Sequence, residues 1–202
     1  MLDYVVFSLS ELLNQYDEGE IENKLREFKC EKEADLEDFL HYKACAYEKS
    51  ETGKTFLFVD KQLLEVGEFS IMGFFTNGLT SYDLSEMSKK KRKKVLGSMP
   101  GRDNLKSFPA FLIGQLGRSD KYNSEQLPGY KLLHECYIQL KEVSKIVGGE
   151  HVILECRECM YSNFYSKQGF KKLNNELDEN GLYTLYNRIK FKELLNEEKE
   201  IN

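Results

Sequence analysis

The succession of hydrophobic patterns along the chain predicts an α/β fold with a mixed sheet flanked by helices. Apolar residues recur at helical spacing over 34–47 and 130–147. Strand-forming residues cluster at 55–59 and 68–76, where one strand follows the other directly. Two more strands flank the long second helix. Some strands are joined directly and others through a helix, so we expect an α/β sandwich with a mixed sheet.

Residues 1–26 are predicted to form an extra N-terminal helical segment. Ser8 and Glu11 have the spacing of a capping box, and leucines follow on one face. Residues 21–28 indicate a second short helix. The segment 34–47 is more strongly amphipathic and has acidic residues in its first turn, where they favour helix formation.

The middle of the chain is predicted to hold two strands and a long insertion. The strand at 68–76 is largely apolar on both faces, so we expect it to be covered on both sides. Residues 81–107 are more polar, and Ser88 is positioned to cap a short helix over Lys89–Lys94. We interpret this stretch as an insertion between strands, not as a domain boundary.

The second half alternates strands and helices. The predicted elements are a central strand at 108–117, a helix at 130–147 ending at Gly148, a strand at 151–156, a helix at 159–168 ending at Gly169, and strands at 170–173 and 182–189.

Composition indicates a single folded domain. The chain has 202 residues, of which 41% are hydrophobic, 31% charged and 12% aromatic, and only three are proline. These values exclude collagen-like, disulfide-scaffold and disordered classes. We expect one domain over 1–202, with the N-terminal extension at 1–26, a core at 27–190 and a charged tail at 191–202.

Charge and targeting patterns predict a cytoplasmic protein with no membrane partner. The net charge is −5, which does not favour an anionic membrane or nucleic acid overall. No run reaches the roughly 18 apolar residues of a membrane helix, and the N-terminus lacks a basic segment followed by an apolar one. Five cysteines, an odd number, are typical of reduced thiols.

The first candidate site lies at 108–133, where a strand leads through a loop into a long helix. Backbone N–H groups at a helix start, together with the helix dipole, suit an anion such as pyrophosphate. Gly129 would allow a ligand to approach the backbone closely. The alternative is an ordinary loop with a helix cap, because most strand–helix junctions bind nothing.

The second candidate is the run Asn163–Phe170. Its Tyr165 follows a strand closely and would be placed to hold a phenol near a leaving thiolate and protonate it. The alternative is that Phe164 and Tyr165 form a buried face. For Phe164 we accept the buried role, and for Tyr165 both interpretations stay open on the residues alone.

Taken together, these two segments resemble the GNAT N-acetyltransferase superfamily. Ile113–Gly117 is similar to the family's fourth strand, and Asn163–Phe170 to its fourth helix and the following strand. The stretch 28–40 resembles the start of the branch that includes toxins acetylating aminoacyl-tRNA. The resemblance follows the order of elements over about 27–190, with its specific motifs at 108–170. It implies that 1–202 form a single acyltransferase-like domain with a mixed, mostly antiparallel twisted sheet flanked by helices.

The resemblance implies a set of roles. Acetyl-CoA would be the cosubstrate, Tyr165 would protonate the departing CoA thiolate, and a backbone N–H near Leu116 would polarise the thioester carbonyl. The residues implied to bind acetyl-CoA are Leu116, Gly117, Arg118, Leu127, Gly129, Tyr130, Lys131 and Asn163. A general base is not implied; Glu68, Asp120 and Glu155 are candidates, and water is the alternative.

The predicted pyrophosphate loop departs from the family pattern. In the family this loop usually reads Gln or Arg, two residues, Gly, one residue, then Gly or Ala. One alignment starts the pattern at Gln126 and puts Lys131 at the final position, where the family has Gly or Ala. The other alignment places Gly129 at the final position. We prefer it because the leucines that follow in the helix then match the apolar residues that follow this loop in the family. The loop is degenerate in both, and Pro128 removes one N–H donor.

Two other constellations have simpler alternatives. Cys156 and Cys159 form a C-x-x-C pair, which His134 and Cys136 would extend to a zinc or redox site, but we favour core cysteines and expect no metal. The run Lys89–Lys94 would suit phosphates of RNA or of CoA, although it lacks interleaved aromatic residues, which favours a solvated helix.

The expected function is transfer of an acetyl group from acetyl-CoA to a primary amine by direct attack. The acceptor would be a small molecule or a protein, with nucleic acid a less favoured partner and a homodimer left open. One alternative is a non-catalytic GNAT-fold module that binds a protein or RNA. Another is toxin-like acetylation of aminoacyl-tRNA.

Overall fold

The computed structural model describes residues 1–191. In its first half the elements are β1 (Tyr4–Ser8), α1 (Leu9–Gln15), α2 (Glu18–Leu25), α3 (Ala34–Tyr42), α4 (Ala44–Lys49), β2 (Gly53–Asp60), α5 (Lys61–Glu65) and β3 (Ile71–Asp83). They continue as α6 (Lys89–Leu96), β4 (Ser107–Arg118), α7 (Gly129–Val147), β5 (His151–Cys156), α8 (Glu158–Asn163), β6 (Lys171–Lys172) and β7 (Tyr183–Arg188). Short 3-10 turns lie at Arg102–Asn104 and Tyr165–Gln168.

The seven strands form one sheet in the order β1-β2-β3-β4-β5-β7-β6. The pairs β1/β2, β2/β3, β5/β7 and β6/β7 are antiparallel. Strands β4 and β5 are parallel, with Phe111 opposite Val152, and α7 supplies the crossover that a parallel pair requires. The predicted fold class, a mixed and mostly antiparallel sheet flanked by helices, is confirmed.

The chain divides into two compact units, and β3 and β4 each contribute to both. The first unit comprises residues 1–78 and 113–139. Its core packs the N-terminal helices against β2 and β3, and Phe28 lies edge to face on Phe74 with ring centroids 5.2 Å apart. The Tyr4 hydroxyl donates to Glu135 at 2.9 Å and so links β1 to α7.

The second unit comprises residues 79–112 and the chain from residue 140 onward. Its core includes Leu84, Leu96, Ile153 and Leu173, all at most 6% exposed. This cluster brings α6 and the ends of β3 and β4 together with β5 and β6, so the predicted insertion is part of a core.

The insertion is folded around Arg92, which is only 8% exposed. Its guanidinium donates to the backbone carbonyls of five residues. They are Leu84, Met87, Arg102, Asp103 and Leu105. The predicted cap is confirmed, since the Ser88 hydroxyl accepts from the Lys91 N–H at 3.3 Å. The arginine therefore holds together a stretch that the sequence presents as a loop.

Three local predictions need correction. Residues 1–26 are not helical throughout, because Tyr4–Ser8 forms strand β1 on the edge of the sheet; Ser8 precedes α1 but its side chain makes no capping bond. The helix predicted at 34–47 divides at Lys43, whose φ of −120° is not helical. The helix predicted at 159–168 is α8 followed by a 3-10 turn, separated by Phe164 at φ −131°.

Two further findings concern the ends of the chain and the membrane prediction. Apart from Phe191, which is buried, the predicted charged tail lies outside the described residues. Among residues 1–191 no helix combines the length and apolar character needed to cross a bilayer.

Candidate functional site

The carboxyl end of β4 approaches its neighbours in the first unit unusually closely. A Cβ atom placed on Gly73 of β3 would lie 2.7 Å from the carbonyl oxygen of Gly117. A Cβ atom placed on Gly117 would lie 2.7 Å from Leu36 Cδ1 of α3. At Gly73 the clash would be with backbone, so this position needs glycine for space, whereas at Gly117 the end of the flexible Leu36 side chain would have to shift. The end of the strand, where Leu116–Arg118 are predicted to meet the thioester, is thus closely surrounded.

The loop between β4 and α7 is folded back on itself. The Ser119 N–H donates to the Met72 carbonyl at 2.8 Å, which fixes the beginning of the loop to β3. Further along, the Asn123 side-chain oxygen accepts from the N–H groups of Glu125 and Gln126 at 2.9 and 3.0 Å. An asparagine that accepts backbone bonds in this way forms a stable turn. The loop therefore reaches α7 by a fixed path.

Arg118 closes this loop. Its guanidinium Nη1 donates to the carbonyl of Leu127 at 2.9 Å, and Leu127 is fully buried. Pro128 then stands just before the helix, where its missing N–H removes no helical hydrogen bond. The degenerate sequence of the loop is thus compatible with a well-formed helix start at Gly129.

The start of α7 has the properties of an anion site. The amides of Gly129 and Tyr130 have no carbonyl partner within the helix, because the first N–H groups of any helix lack one. The first turn holds no acidic residue, and Lys131 lies there with its ammonium 5.8 Å from the Tyr130 ring centroid. The dipole of a 19-residue helix adds to this positive end.

Tyr165 lies in the second unit, in the 3-10 turn that follows α8. It is 6% exposed, and its ring meets Phe164 and Phe170 edge to face, at 4.9 and 5.5 Å between centroids. The Phe170 N–H donates to the Tyr165 carbonyl at 3.1 Å, which fixes the backbone of the turn. Asn163, the other site residue predicted here, is exposed at the end of α8.

A charged cluster that the sequence analysis missed anchors the beginning of α8. Glu158 forms an ion pair with Lys172 of β6 at 2.8 Å, and the Lys172 ammonium lies 3.5 Å from the ring centroid of Tyr183 and 4.7 Å from that of Tyr161. The hydrogen bond between the two charges raises the pKa of Lys172 and lowers that of Glu158. The cluster ties the helix before Tyr165 to β6 and β7.

The three candidate bases have different surroundings. Glu68 lines a cleft of the first unit together with Asp60 and Lys121. The Asp120 carboxylate accepts from the Glu31 N–H at 2.6 Å, and its own N–H donates to the Lys29 carbonyl at 2.8 Å. Asp120 therefore joins the loop to the α2–α3 connection.

Glu155, the third candidate, is exposed on β5, opposite Thr184 of β7. None of these contacts selects one of the three carboxylates as the base.

The cysteines lie in unlike surroundings. Cys136 is fully buried and its thiol donates to the Asn77 side-chain oxygen at 2.9 Å; burial raises its pKa. Burial also raises the pKa of Cys156 to about 11, whereas Cys159 is exposed. Across residues 1–191 no three His, Cys, Asp or Glu side chains are grouped so that they could hold a metal. The zinc alternative thus gains no support from the described part of the chain.

The predicted acetyl-CoA residues divide between the two units. Those of the first unit are Leu116, Gly117, Arg118, Leu127, Gly129, Tyr130 and Lys131. Asn163, with the predicted catalytic Tyr165, belongs to the second. Within the first unit, the strand end and the helix start are joined by the Arg118 bond. The roles of all these residues remain predictions.

Comparison with known proteins finds similarity in structure alone. No protein-family model matches the chain, and no curated protein matches it significantly. A crystal structure of a bacterial toxin matches with a TM-score of 0.70 at 17% identity, over 96% of this chain and 97% of that one. A mutant of KacT matches with a TM-score of 0.68 at 19% identity, over 95% and 98%.

A third similar structure is AtaT complexed with acetyl-methionyl-tRNAfMet, with a TM-score of 0.66 at 23% identity, over 96% of this chain and 99% of that one. At these identities the similarity concerns the fold. The similarity to these structures confirms the fold that the sequence resemblance implies.

Proposed function

We propose, from the GNAT fold that this chain shares with these toxins, that it is an N-acetyltransferase that uses acetyl-CoA to acetylate a primary amine. The observation that carries the proposal is the start of α7. There the Arg118 bond to the Leu127 carbonyl closes the loop, and the amides of Gly129 and Tyr130 have no carbonyl partner within the helix. Such a helix start suits the pyrophosphate of a nucleotide cosubstrate.

In the proposed reaction the acceptor nitrogen attacks the thioester carbonyl carbon directly. The new C–N bond replaces the C–S bond, and the amine proton passes to water or to a carboxylate. A backbone N–H near Leu116 stabilises the charge that develops on the carbonyl oxygen. The Tyr165 phenol gives its proton to the departing CoA thiolate. Five unpaired cysteines suit a reducing compartment, and a cytoplasmic location is part of the proposal.

The α-amino group of an aminoacyl-tRNA is a second candidate acceptor. It is favoured by one observation, the similarity to the structure of AtaT complexed with acetyl-methionyl-tRNAfMet. An amino acid esterified to RNA offers a primary amine, as the general proposal requires. Other small-molecule and protein amines are tested alongside it.

The test is isothermal titration with acetyl-CoA, followed by turnover of Tyr165→Phe, with release of free CoA thiol as the signal. We expect the variant to bind acetyl-CoA within about twofold of wild type, since a phenyl ring fills the same buried position. Loss of the proton donor should lower kcat by about 10²- to 10⁴-fold. Methionyl-tRNA and simple primary amines serve as acceptors.

Tyr16→Phe is the matched control, since Tyr16 is 56% exposed at the end of α1. It should leave both binding and turnover unchanged. Absence of acetyl-CoA binding by wild type would contradict the enzyme proposal and leave a non-catalytic module of the same fold. Binding with unchanged turnover in Tyr165→Phe would remove only the proton-donor role.

A further inference from the structure

Helix α6 presents a row of lysines without acidic partners. Lys89, Lys90, Lys93 and Lys94 are exposed, and we call these four side chains the basic face of α6. None of them forms an ion pair with any residue from 1 to 191. At about 100° of rotation per residue, the four cover a stripe of about 140°. Arg92, Val95 and Leu96 occupy the buried side.

The basic face opposes the stability of its own helix. Lysines at i and i+4, such as Lys89 and Lys93, repel each other. Lys89 and Lys90 also lie in the first turn, where the helix dipole disfavours positive charge, and no acidic residue is present there to compensate. A polyanion bound to this face would relieve both effects.

The helix that bears the lysines is held rigidly. Arg92 bonds the backbone on both sides of α6, while Val95 and Leu96 are 2% and 1% exposed in the core of the second unit. The positions of the lysine stems are therefore set before any ligand arrives. A preorganised cationic surface loses less entropy on binding than a flexible basic tail would.

We propose that the basic face of α6 binds the phosphate backbone of an RNA. The proposal rests on the proposed function in one respect, that the RNA is the molecule that carries the acceptor amine. The binding itself is a property of the second unit, to which all four lysines belong. It requires neither acetyl-CoA nor turnover.

The chemistry of the face favours phosphates over an acidic protein. Stable protein interfaces depend on apolar or aromatic anchors, and the exposed side of α6 offers none, because its two apolar residues are buried. The absence of aromatic residues from the helix also indicates contact with phosphates instead of stacked bases. Binding should thus depend weakly on base sequence.

The number of lysines exceeds what a single phosphate needs. A 3′-phosphate of CoA would engage one or two ammonium groups, whereas this stripe suits consecutive phosphates of a strand. With four contacts, the logarithm of the RNA affinity should fall with the logarithm of salt concentration at a slope of about −3 for a single strand. Between about 50 and 200 mM salt this corresponds to a loss of about 50-fold.

The experiment measures fluorescence anisotropy of a labelled single-stranded RNA of about 20 nucleotides with the full chain at several salt concentrations. The test variant changes the four lysines of the basic face to glutamine. The matched control changes four exposed lysines elsewhere and has the same net charge. Its substitutions are Lys43→Gln, Lys61→Gln, Lys145→Gln and Lys171→Gln.

We expect wild type and control to bind RNA alike with the steep salt slope. The test variant should bind at least tenfold more weakly at about 50 mM salt, with the slope reduced to near zero. Unchanged far-UV circular dichroism and an unchanged urea midpoint show that it is folded, as expected for exposed side chains. Titration with acetyl-CoA should give the same Kd for all three proteins.

Four results would overturn the proposal: no salt-dependent RNA binding by wild type, an equal loss in test and control variants, equally tight binding of poly-glutamate, or a loss of acetyl-CoA affinity confined to the test variant. The last would assign the lysines to the phosphates of CoA. If wild type binds RNA through α6 but does not bind acetyl-CoA, the proposed function fails while this proposal stands.

Discussion

Replacing Arg92 by methionine should show how far one side chain organises the segment from 84 to 105. Methionine keeps an unbranched stem of similar length but removes the guanidinium, which donates to five backbone carbonyls. Arginine is suited to this position because its planar fork places several N–H donors at fixed angles. A lysine has a single ammonium group and cannot reach the same five carbonyls.

The expected cost follows from what the carbonyls lose. A hydrogen bond from a charged donor contributes about 1.5–3 kcal/mol, but three of the five acceptors share Nη1, so the contributions do not add. Leu84 is fully buried, and its carbonyl would keep only the hydrogen bond from the Met87 N–H at 2.9 Å. Exposed acceptors such as Asp103 would bind water instead. Loss of about two independent hydrogen bonds from the charged donor gives a total of about 3–5 kcal/mol.

Urea unfolding and hydrogen exchange measure this effect. In thermal unfolding, a loss of about 3–5 kcal/mol in the free energy of unfolding corresponds, for a chain of this length, to a fall in Tm of about 6–20 °C. Exchange should accelerate most at 84–105. The control is Lys93→Met, which removes an exposed neighbouring charge and should change stability by less than about 0.5 kcal/mol. If Arg92→Met lay within about 1 kcal/mol of wild type, the carbonyl contacts would not be what holds the insertion.

Three further substitutions test other parts of the structure. Gly73→Ala should destabilise the chain by about 1–3 kcal/mol in urea, because its Cβ would meet the backbone oxygen of Gly117 at 2.7 Å. Gly117→Ala should cost less, since it meets only the flexible end of Leu36, and equal costs would contradict this argument. His151 is 3% exposed, its Nε2–H donates to the Val95 carbonyl at 3.1 Å, and burial lowers its pKa. The unfolded chain therefore takes up a proton near pH 6.5 that the folded chain resists, so stability should fall as pH drops below about 6.5 and level off below the folded pKa. His151→Gln should flatten the dependence of the urea midpoint on pH over this range, and an unchanged slope would exclude His151 as its source.

Much of the fold could be predicted because its main elements are long and periodic. The helix at 130–147 and the strand at 151–156 were predicted within one residue of α7 and β5. Strand β1 was missed because five residues are too few for a pattern, and what selects a strand there is pairing with β2. The break at Lys43 was missed for a similar reason, since the apolar spacing continues through it.

In the candidate site, too, some features could be predicted from the sequence and others could not. Gly129 and Tyr165 belong to short runs whose spacing is visible in sequence. The bond from Arg118 to the Leu127 carbonyl leaves no pattern, because it joins a side chain to a backbone atom and any residue supplies a carbonyl. Arg92 was hidden among lysines, since a charge pattern does not separate a cation that points inward from those that point outward. The ion pair of Glu158 and Lys172 joins two elements whose proximity only the folded sheet creates.

The unequal burial of the five thiols has a practical consequence. Cys30, Cys45, Cys136 and Cys156 are buried, and only Cys159 reaches solvent. A thiol-reactive dye at low concentration should therefore attach at one position without any cysteine being mutated. That position lies within α8, one residue after Glu158 and shortly before the turn that holds Tyr165. A fluorophore on Cys159 would thus report directly on movements of α8 when ligands are added.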